Sequence, residues 1–313
     1  MVVLGVDAGG TKTVCQLADA TGTVLAEMRG AGAHLQSVGE PGVEAVLRDL
    51  INRALDKCGR PQIAAMCLGM AGVDQPVEAD IVRRIMERIG QHSRALVVND
   101  ALIALEAGAP EAPGVVVIAG TGSMAYGRDA HGHAARAGGW GFVLADEGSG
   151  YWLGRQALRA AVRAVDHRGP RTILTDRVFA HYGVSRSADL AREVYAGGVK
   201  PAAIASLAAD VDSAAGDGDA VALKIIDAAA TELAWAARAV ARRLHLEQGP
   251  IILSGGVFQL ARTLDGRVRR ALEADLPSAP VRVLDVEPAY GAVRFALALS
   301  RGPVTVPQYG ADA

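Results

Sequence analysis

Cysteine is scarce in this chain of 313 residues, limited to Cys15, Cys58 and Cys67. No two of them have metal-ligand spacing, and Cys15 and Cys67 sit in apolar, strand-like runs. Buried free thiols are expected rather than a zinc site or a disulfide framework. Aromatic residues make up 4% of the chain although half of it is hydrophobic. The core is therefore expected to consist of small aliphatic side chains on helices and parallel strands. No long block of like charge occurs, and 32 basic residues face 34 acidic ones. That balance argues against an electrostatic nucleic-acid footprint. There is no run of 18 apolar residues free of glycine or charge, so no membrane span is expected. The N-terminus lacks the basic and apolar regions of a signal peptide, which makes the cytoplasm the expected location.

What is present is a glycine turn behind an apolar strand. Residues 2–6 read as the strand, and Asp7-Ala8-Gly9-Gly10-Thr11-Lys12-Thr13 follows. Glycine lets the backbone turn tightly and approach a ligand. Successive N–H groups in such a turn form an anion-binding concavity. Asp7 stands where a carboxylate can face a metal ion beside a phosphate. Neither the G-x-x-x-x-G-K-[ST] loop nor the G-x-G-x-x-G fingerprint is present at this turn. Asp and Gly also recur in hairpins for turn geometry alone, and a second copy decides in favour of binding. At an offset of 110 residues, Gly10, Thr11, Asp19, Ala20 and Gly22 match Gly120, Thr121, Asp129, Ala130 and Gly132.

Three strands are expected over residues 2–7, 14–18 and 24–28, then a loop over 29–39 and a helix over 43–58. Strand, helix, strand and helix follow over 63–68, 78–89, 95–98 and 101–107. The pattern restarts with the strand 115–119 and Gly120-Thr121-Gly122-Ser123. Helical segments are expected at 152–166, 171–181, 186–195, 201–214 and 219–245. Strands at 251–253 and 281–285, a last helix at 289–299 and a loose tail past Arg301 complete the reading. The whole is an α/β chain with an internally duplicated βββαβαβα unit whose second copy carries an insertion.

This duplicated unit resembles the sugar kinase, Hsp70 and actin superfamily. Three stretches carry a closer resemblance: Asp7 to Thr13, Gly120 to Ser123, and Gly138-Gly139-Trp140-Gly141 with Asp146-Glu147-Gly148-Ser149. Their order and spacing are similar to N-acetylglucosamine kinase and its BadF/BadG/BcrA/BcrD-type ATPase relatives, over residues 2–300. The resemblance implies ribonuclease H-like, actin-like ATPase domains around a central cleft. The first would cover residues 1–114, with the helix 289–300 packing back on it. The second would cover 115–288, with a mainly helical insertion over 137–246. It further implies ATP-dependent phosphorylation of the 6-hydroxyl of an amino sugar, N-acetylglucosamine first, with Mg²⁺ as the metal. A homodimer is a reasonable expectation from the family.

Residue by residue, the resemblance assigns phosphate binding to Gly9, Gly10, Thr11, Lys12, Gly120, Thr121 and Gly122. Gly255 and Gly256 match the adenosine-side loop, where an ordinary strand-to-helix turn is the competing reading. Asp7 takes the metal side, through water. Asp100 ends an apolar strand before a helix, so it is either the N-cap or the base that accepts the hydroxyl proton, and Asn99 can share these roles. Ser123, Gly139, Trp140, Gly141 and Asp146 match sugar-contacting positions. An aromatic among glycines suits the apolar face of a carbohydrate, whereas Trp152 reads as a core residue. His34-Leu35 and Met124 depart from the Asn-His and Asn of the animal enzymes. Glucosamine and N-acetylmuramic acid therefore stay open as acceptors. An ATPase activator of a 2-hydroxyacyl-CoA dehydratase shares the fold and is the competing class, but it needs cysteines placed for an iron–sulfur cluster.

Overall fold

The computed structural model describes residues 1–196 and 198–309. The chain opens with β1 (Val2–Ala8), β2 (Lys12–Asp19), β3 (Val24–Ala31), α1 (Leu35–Lys57), β4 (Ile63–Met70), α2 (Pro76–Arg88), β5 (Arg94–Asn99) and α3 (Asp100–Gly108). It restarts with β6 (Gly114–Ala119), β7 (Ser123–Arg128) and β8 (His133–Gly138). Six helices follow: α4 (Gly150–Val165), α5 (Leu174–His181), α6 (Ser187–Tyr195), α7 (Pro201–Ala205), α8 (Ala208–Gly216) and α9 (Ala220–Arg243). The chain then runs through β9 (Ile251–Ser254), α10 (Gly256–Leu260), α11 (Arg262–Asp275), β10 (Val281–Val283), α12 (Ala289–Arg301) and β11 (Gln308–Tyr309).

Two sheets result. The first has the order β3-β2-β1-β4-β5 and the second β10-β9-β6-β7-β8-β11. Read as β8-β7-β6-β9-β10, the second repeats the first, with α4–α9 standing where α1 alone links β3 to β4. The duplication extends to single hydrogen bonds. Asp19 Oδ1 accepts from the N–H of Thr21 (2.8 Å) and of Thr23 (3.1 Å). Asp129 Oδ1 accepts from the N–H of His131 and of His133, both at 2.8 Å. The chain groups into two compact units. One holds Met1–Gly114, Gly127–Ala134 and the chain from Leu284 onward; the other holds Val115–Tyr126 and Ala135–Val283.

In the first unit β1 runs antiparallel to β2 and parallel to β4, which is parallel to β5. Every residue of β1 is buried, as expected for a strand covered on both faces. One cover is α12. A Cβ on Gly5 would overlap backbone atoms of Ala289 and Val293, and one on Gly291 would overlap the Ile103 carbonyl of α3. These glycines let α12 lie directly on β1 and α3. The same unit buries an ionic cluster. Glu106 Oε2 accepts from the Arg128 guanidinium (2.7 Å) and the Glu111 N–H (3.1 Å), and Oε1 from Arg294 Nε (2.9 Å).

Three expected segments differ. Residues 29–39 are not a loop: β3 pairs with β2 as far as Lys12↔Ala31. The helix then starts at Leu35, with non-helical Gly39 (φ 65°) joining two helical stretches ahead of Pro41. A Gly/Ala-rich composition hid both the strand end and the first turn. The helix expected over 201–214 breaks at Ser206, whose hydroxyl donates back to the Ala203 carbonyl at 2.6 Å, a bond that competes with helix propagation. Past Arg301 residues 303–307 have no regular structure, but the chain does not stay loose: β11 pairs with β8 through Gln308↔His133 and Tyr309↔Ala134. Residues 310–313 of that expected tail lie outside the described residues.

Candidate functional site

The parallel strands of the first unit end together. Ala8, Met70 and Asn99 are in register. Their carboxyl ends therefore deliver Asp7, Asp74 and Asp100 to one sheet edge, the edge where open α/β sheets bind ligands. Asp100 is the first residue of α3. Asn99 is the cap: its side-chain oxygen accepts from the Ala101 N–H at 2.8 Å, and its amide donates to Asp74 at 2.8 Å. Asp100 is thereby left free of the capping role. Burial, then the charge of Asp74, push its carboxyl up to about 6, against the pull of the Ala101 N–H and its own. Asp7 is 9% exposed. Burial, then Asp100, raise it to about 7, with Glu287 adding to the rise and Lys12 opposing it.

The β1–β2 hairpin projects beyond this edge. The Gly9 N–H donates to the Lys12 carbonyl at 3.0 Å, and the Gly9 carbonyl accepts from the Ala33 N–H at 3.1 Å. Gly10, Thr11 and Lys12 are exposed at its tip. Lys12 Nζ is held by Glu287 at 3.0 Å, and Arg29 meets the same carboxylate at 2.7 Å. Gly32 props the hairpin from behind, where a Cβ would overlap the Gly10 carbonyl and crowd the Thr11 nitrogen. Gly32→Ala is accordingly expected to displace the Gly10–Thr11 peptide. Overpacking costs about 1–3 kcal/mol; with phosphate held at this tip, as the resemblance implies, the KM for nucleotide should rise about tenfold with the fold intact. Unchanged nucleotide kinetics would refute the buttress.

His34 caps no N–H of α1; its Nδ1 lies 3.0 Å from Ser37 Oγ. Its ring covers Gly72, where a Cβ would sit 2.8 Å from Nε2. Burial lowers its pKa. Leu35, expected beside the substrate, is half-buried and packs against the first unit's core.

In the second unit the Gly120 N–H donates to Gly122 O at 2.9 Å. The Gly120 and Thr121 carbonyls accept from the N–H groups of Gly150 and Tyr151, at 2.8 and 3.2 Å. The hairpin is thus pinned to the start of α4. Asp146 is buried and has φ 68°, a conformation that costs energy outside glycine and clusters at functional sites. Its Oδ1 accepts from the Ser123 N–H at 3.2 Å, while the Ser123 hydroxyl donates to the Glu147 carbonyl at 2.7 Å. Burial raises the Asp146 pKa; the Ser123 N–H lowers it and Glu147 raises it further. Met124 packs on Gly139, where a Cβ would lie 3.3 Å from its own. Trp140 is 61% exposed, with the Arg136 guanidinium carbon 4.5 Å from its ring centroid. Trp152 packs on the second unit's core. Gly255 (φ 108°) is dictated by packing, since a Cβ would overlap the Ala119 backbone, whereas Gly256 faces open space.

The structure therefore gathers Asp7, Gly9 to Lys12 and Asp100 in one unit, and Gly120 to Met124, Gly139 and Asp146 in the other. It adds Asp74, Gly32 and Glu287, which sequence reasoning missed. Gly32 lay inside the supposed loop. Glu287 lies 275 positions from Lys12, and no spacing rule links the two.

The model of the BadF/BadG/BcrA/BcrD ATPase family matches residues 4–296. The chain belongs to this family. Its relatives include the N-acetylmuramic acid/N-acetylglucosamine kinase of Clostridium acetobutylicum, 35% identical over 298 residues, 94% of this chain and 97% of that one. The N-acetyl-D-glucosamine kinase of Dictyostelium discoideum is 30% identical over 311 residues, covering 95% and 98%. Among solved structures, a Chromobacterium violaceum protein assigned as an N-acetylglucosamine kinase aligns with a TM-score of 0.76 at 28% identity, over 95% of this chain and 98% of that one. Like other structures of the BadF/BadG/BcrA/BcrD family and its neighbours, this one has the actin-like ATPase fold. No helix among the described residues is long and apolar enough to cross a membrane.

Proposed function

We propose that the chain is an ATP-dependent amino-sugar kinase that phosphorylates the 6-hydroxyl of N-acetylglucosamine. The observation that carries the reading is Asp100, relieved of capping by Asn99 and raised to about 6 at the sheet edge behind the glycine hairpin. Such a carboxylate is ionised at neutral pH yet basic enough to take a proton from an attacking hydroxyl. Two relatives aligned along nearly the whole chain, both sugar kinases by name, support the reading.

In this reading the N–H groups at the hairpin tips, of Gly10 and Thr11 and of Thr121 and Gly122, bind phosphate oxygens, while Gly9 and Gly120 close the turns through their own N–H groups, and Thr11 and Thr121 add hydroxyls. Lys12 exchanges Glu287 for phosphate. Asp146, fixed by Ser123, receives a sugar hydroxyl, and Trp140 offers an apolar ring face. Asp7 suits Mg²⁺. Its buried carboxylate resists ionisation, and a hard cation held beside it through water would relieve that cost. Among the described residues no group of three or more His, Cys, Asp or Glu is placed to hold a metal, so water and phosphate would complete the coordination. When bound, the ion would neutralise charge on the transferring phosphoryl group.

The competing activator reading needs thiols that reach a surface. Cys15 and Cys67 are fully buried in β2 and β4, and burial pushes the Cys15 thiol up to about 12. The deciding experiment measures ADP release with glucosamine, N-acetylglucosamine, N-acetylmannosamine, N-acetylmuramic acid and glucose. N-acetylglucosamine should stimulate it; if no sugar does, the kinase reading is wrong.

A further inference from the structure

A cavity of about 200 Å³ opens in the second unit beside the residues assigned to the sugar. Ser123, Met124 and Gly138 form one side, Glu147 another, and Glu232 and Trp235 of α9 the third. Ser123 and Met124 in its lining belong to the residues assigned to the sugar, and Ser123 bonds Asp146, which Glu147 follows in the chain. Two features of its wall bear on charge. Neither Glu147 nor Glu232 pairs with a Lys or Arg among the described residues, and Trp235 is 49% exposed.

We propose that Glu147 and Glu232 select the acceptor by charge, so that the cavity admits a sugar with a neutral acetamido or protonated amino substituent and refuses a carboxylate-bearing one. The proposal rests on the amino-sugar kinase reading and goes beyond it by naming the substituent. Two carboxylates beside an aromatic face are the chemistry that recognises an ammonium group. Burial of Glu232, with Glu147 beside it, raises the Glu232 pKa. A cation brought in by the substrate relieves that repulsion. The lactyl ether of N-acetylmuramic acid brings a third negative charge to the same wall. The amino and lactyl groups of these sugars sit on adjacent ring carbons, so one cavity can meet either.

The test compares kcat/KM for glucosamine, N-acetylglucosamine and N-acetylmuramic acid at neutral pH, in the intact chain and in Glu232→Gln and Glu147→Gln. The intact chain should use glucosamine at least about tenfold better than N-acetylmuramic acid, the size of a charge interaction at a partly screened site. Each substitution should narrow that ratio about tenfold, while the neutral N-acetylglucosamine changes by less than about threefold. Glu147 is exposed, so its variant keeps the test valid if Glu232→Gln folds poorly. Equal use of glucosamine and N-acetylmuramic acid by the intact chain overturns the proposal. So does a ratio that neither variant moves, with N-acetylglucosamine turnover intact. If no sugar is turned over, the kinase reading fails, and the charge selection falls with it.

Discussion

Asp100→Asn is expected to lower kcat by about 10²–10⁴-fold, the usual contribution of a positioned general base, and to leave sugar affinity within a few-fold. The amide keeps the shape and one acceptor of the carboxylate, so the sugar hydroxyl still finds a partner, but it no longer takes the proton. The cap of α3 is untouched, because Asn99 supplies it. A stability loss therefore does not confound the result. Stopped kinetics for kcat and calorimetry for sugar binding check the two halves separately. A variant retaining more than about a tenth of kcat would remove Asp100 from the base role.

The same residue sets a pH dependence. The base must be ionised to act, and burial together with Asp74 holds its pKa up at about 6. kcat/KM should therefore begin to fall as pH drops through about 7, where Asp7 takes up a proton, and fall more steeply below about 6, where Asp100 does. Asp74→Asn removes the neighbouring negative charge and should move the acid limb to lower pH. An acid limb that stays in place would show that Asp74 does not set the basicity of Asp100.

The repeat was readable because it is local. Asp19 and Asp129 each fold a turn through their own side chain, and a glycine with positive φ (Gly22 and Gly132) completes each turn. Chemistry confined to five residues leaves the same trace in both copies, so the offset of 110 revealed the architecture. Asp7, Asp100 and the two hairpins were visible for a related reason: each sits where an apolar strand stops. What the sequence hid depends on distant partners. Lys12 meets Glu287 only because α12 returns to β1. The value of Gly32 lies in a backbone it touches across β3 and β2, and composition made it look like loop. Glu232 stood in a helix that read as pure scaffold, and only the fold puts it beside Met124.

The second large effect concerns the far end of the helix that carries Asp100. Six residues on, Glu106 is 3% exposed and accepts hydrogen bonds from Arg128, Arg294 and the Glu111 N–H. Arg128 is itself 7% exposed, and its other bonds go to the neutral carbonyls of Ala109 and Ala112. Glu106→Ala would leave that guanidinium buried without a counter-charge, which typically costs about 3–5 kcal/mol. Denaturant unfolding should show the loss as a lower midpoint of the first unit's transition. Arg294 is more exposed, so Arg294→Ala should cost less than about 1 kcal/mol. Replacing Glu106 and Arg128 together by Leu and Met should recover much of the stability, because an apolar pair of similar volume is often no worse than a buried ion pair. If Glu106→Ala unfolds within about 1 kcal/mol of the parent, the buried pair is not what anchors this end of α3. If the full cost appears, the sheet-edge geometry at Asp100 depends on an anchor one and a half turns away, and kcat in a partly stabilised Glu106 variant should fall along with the stability.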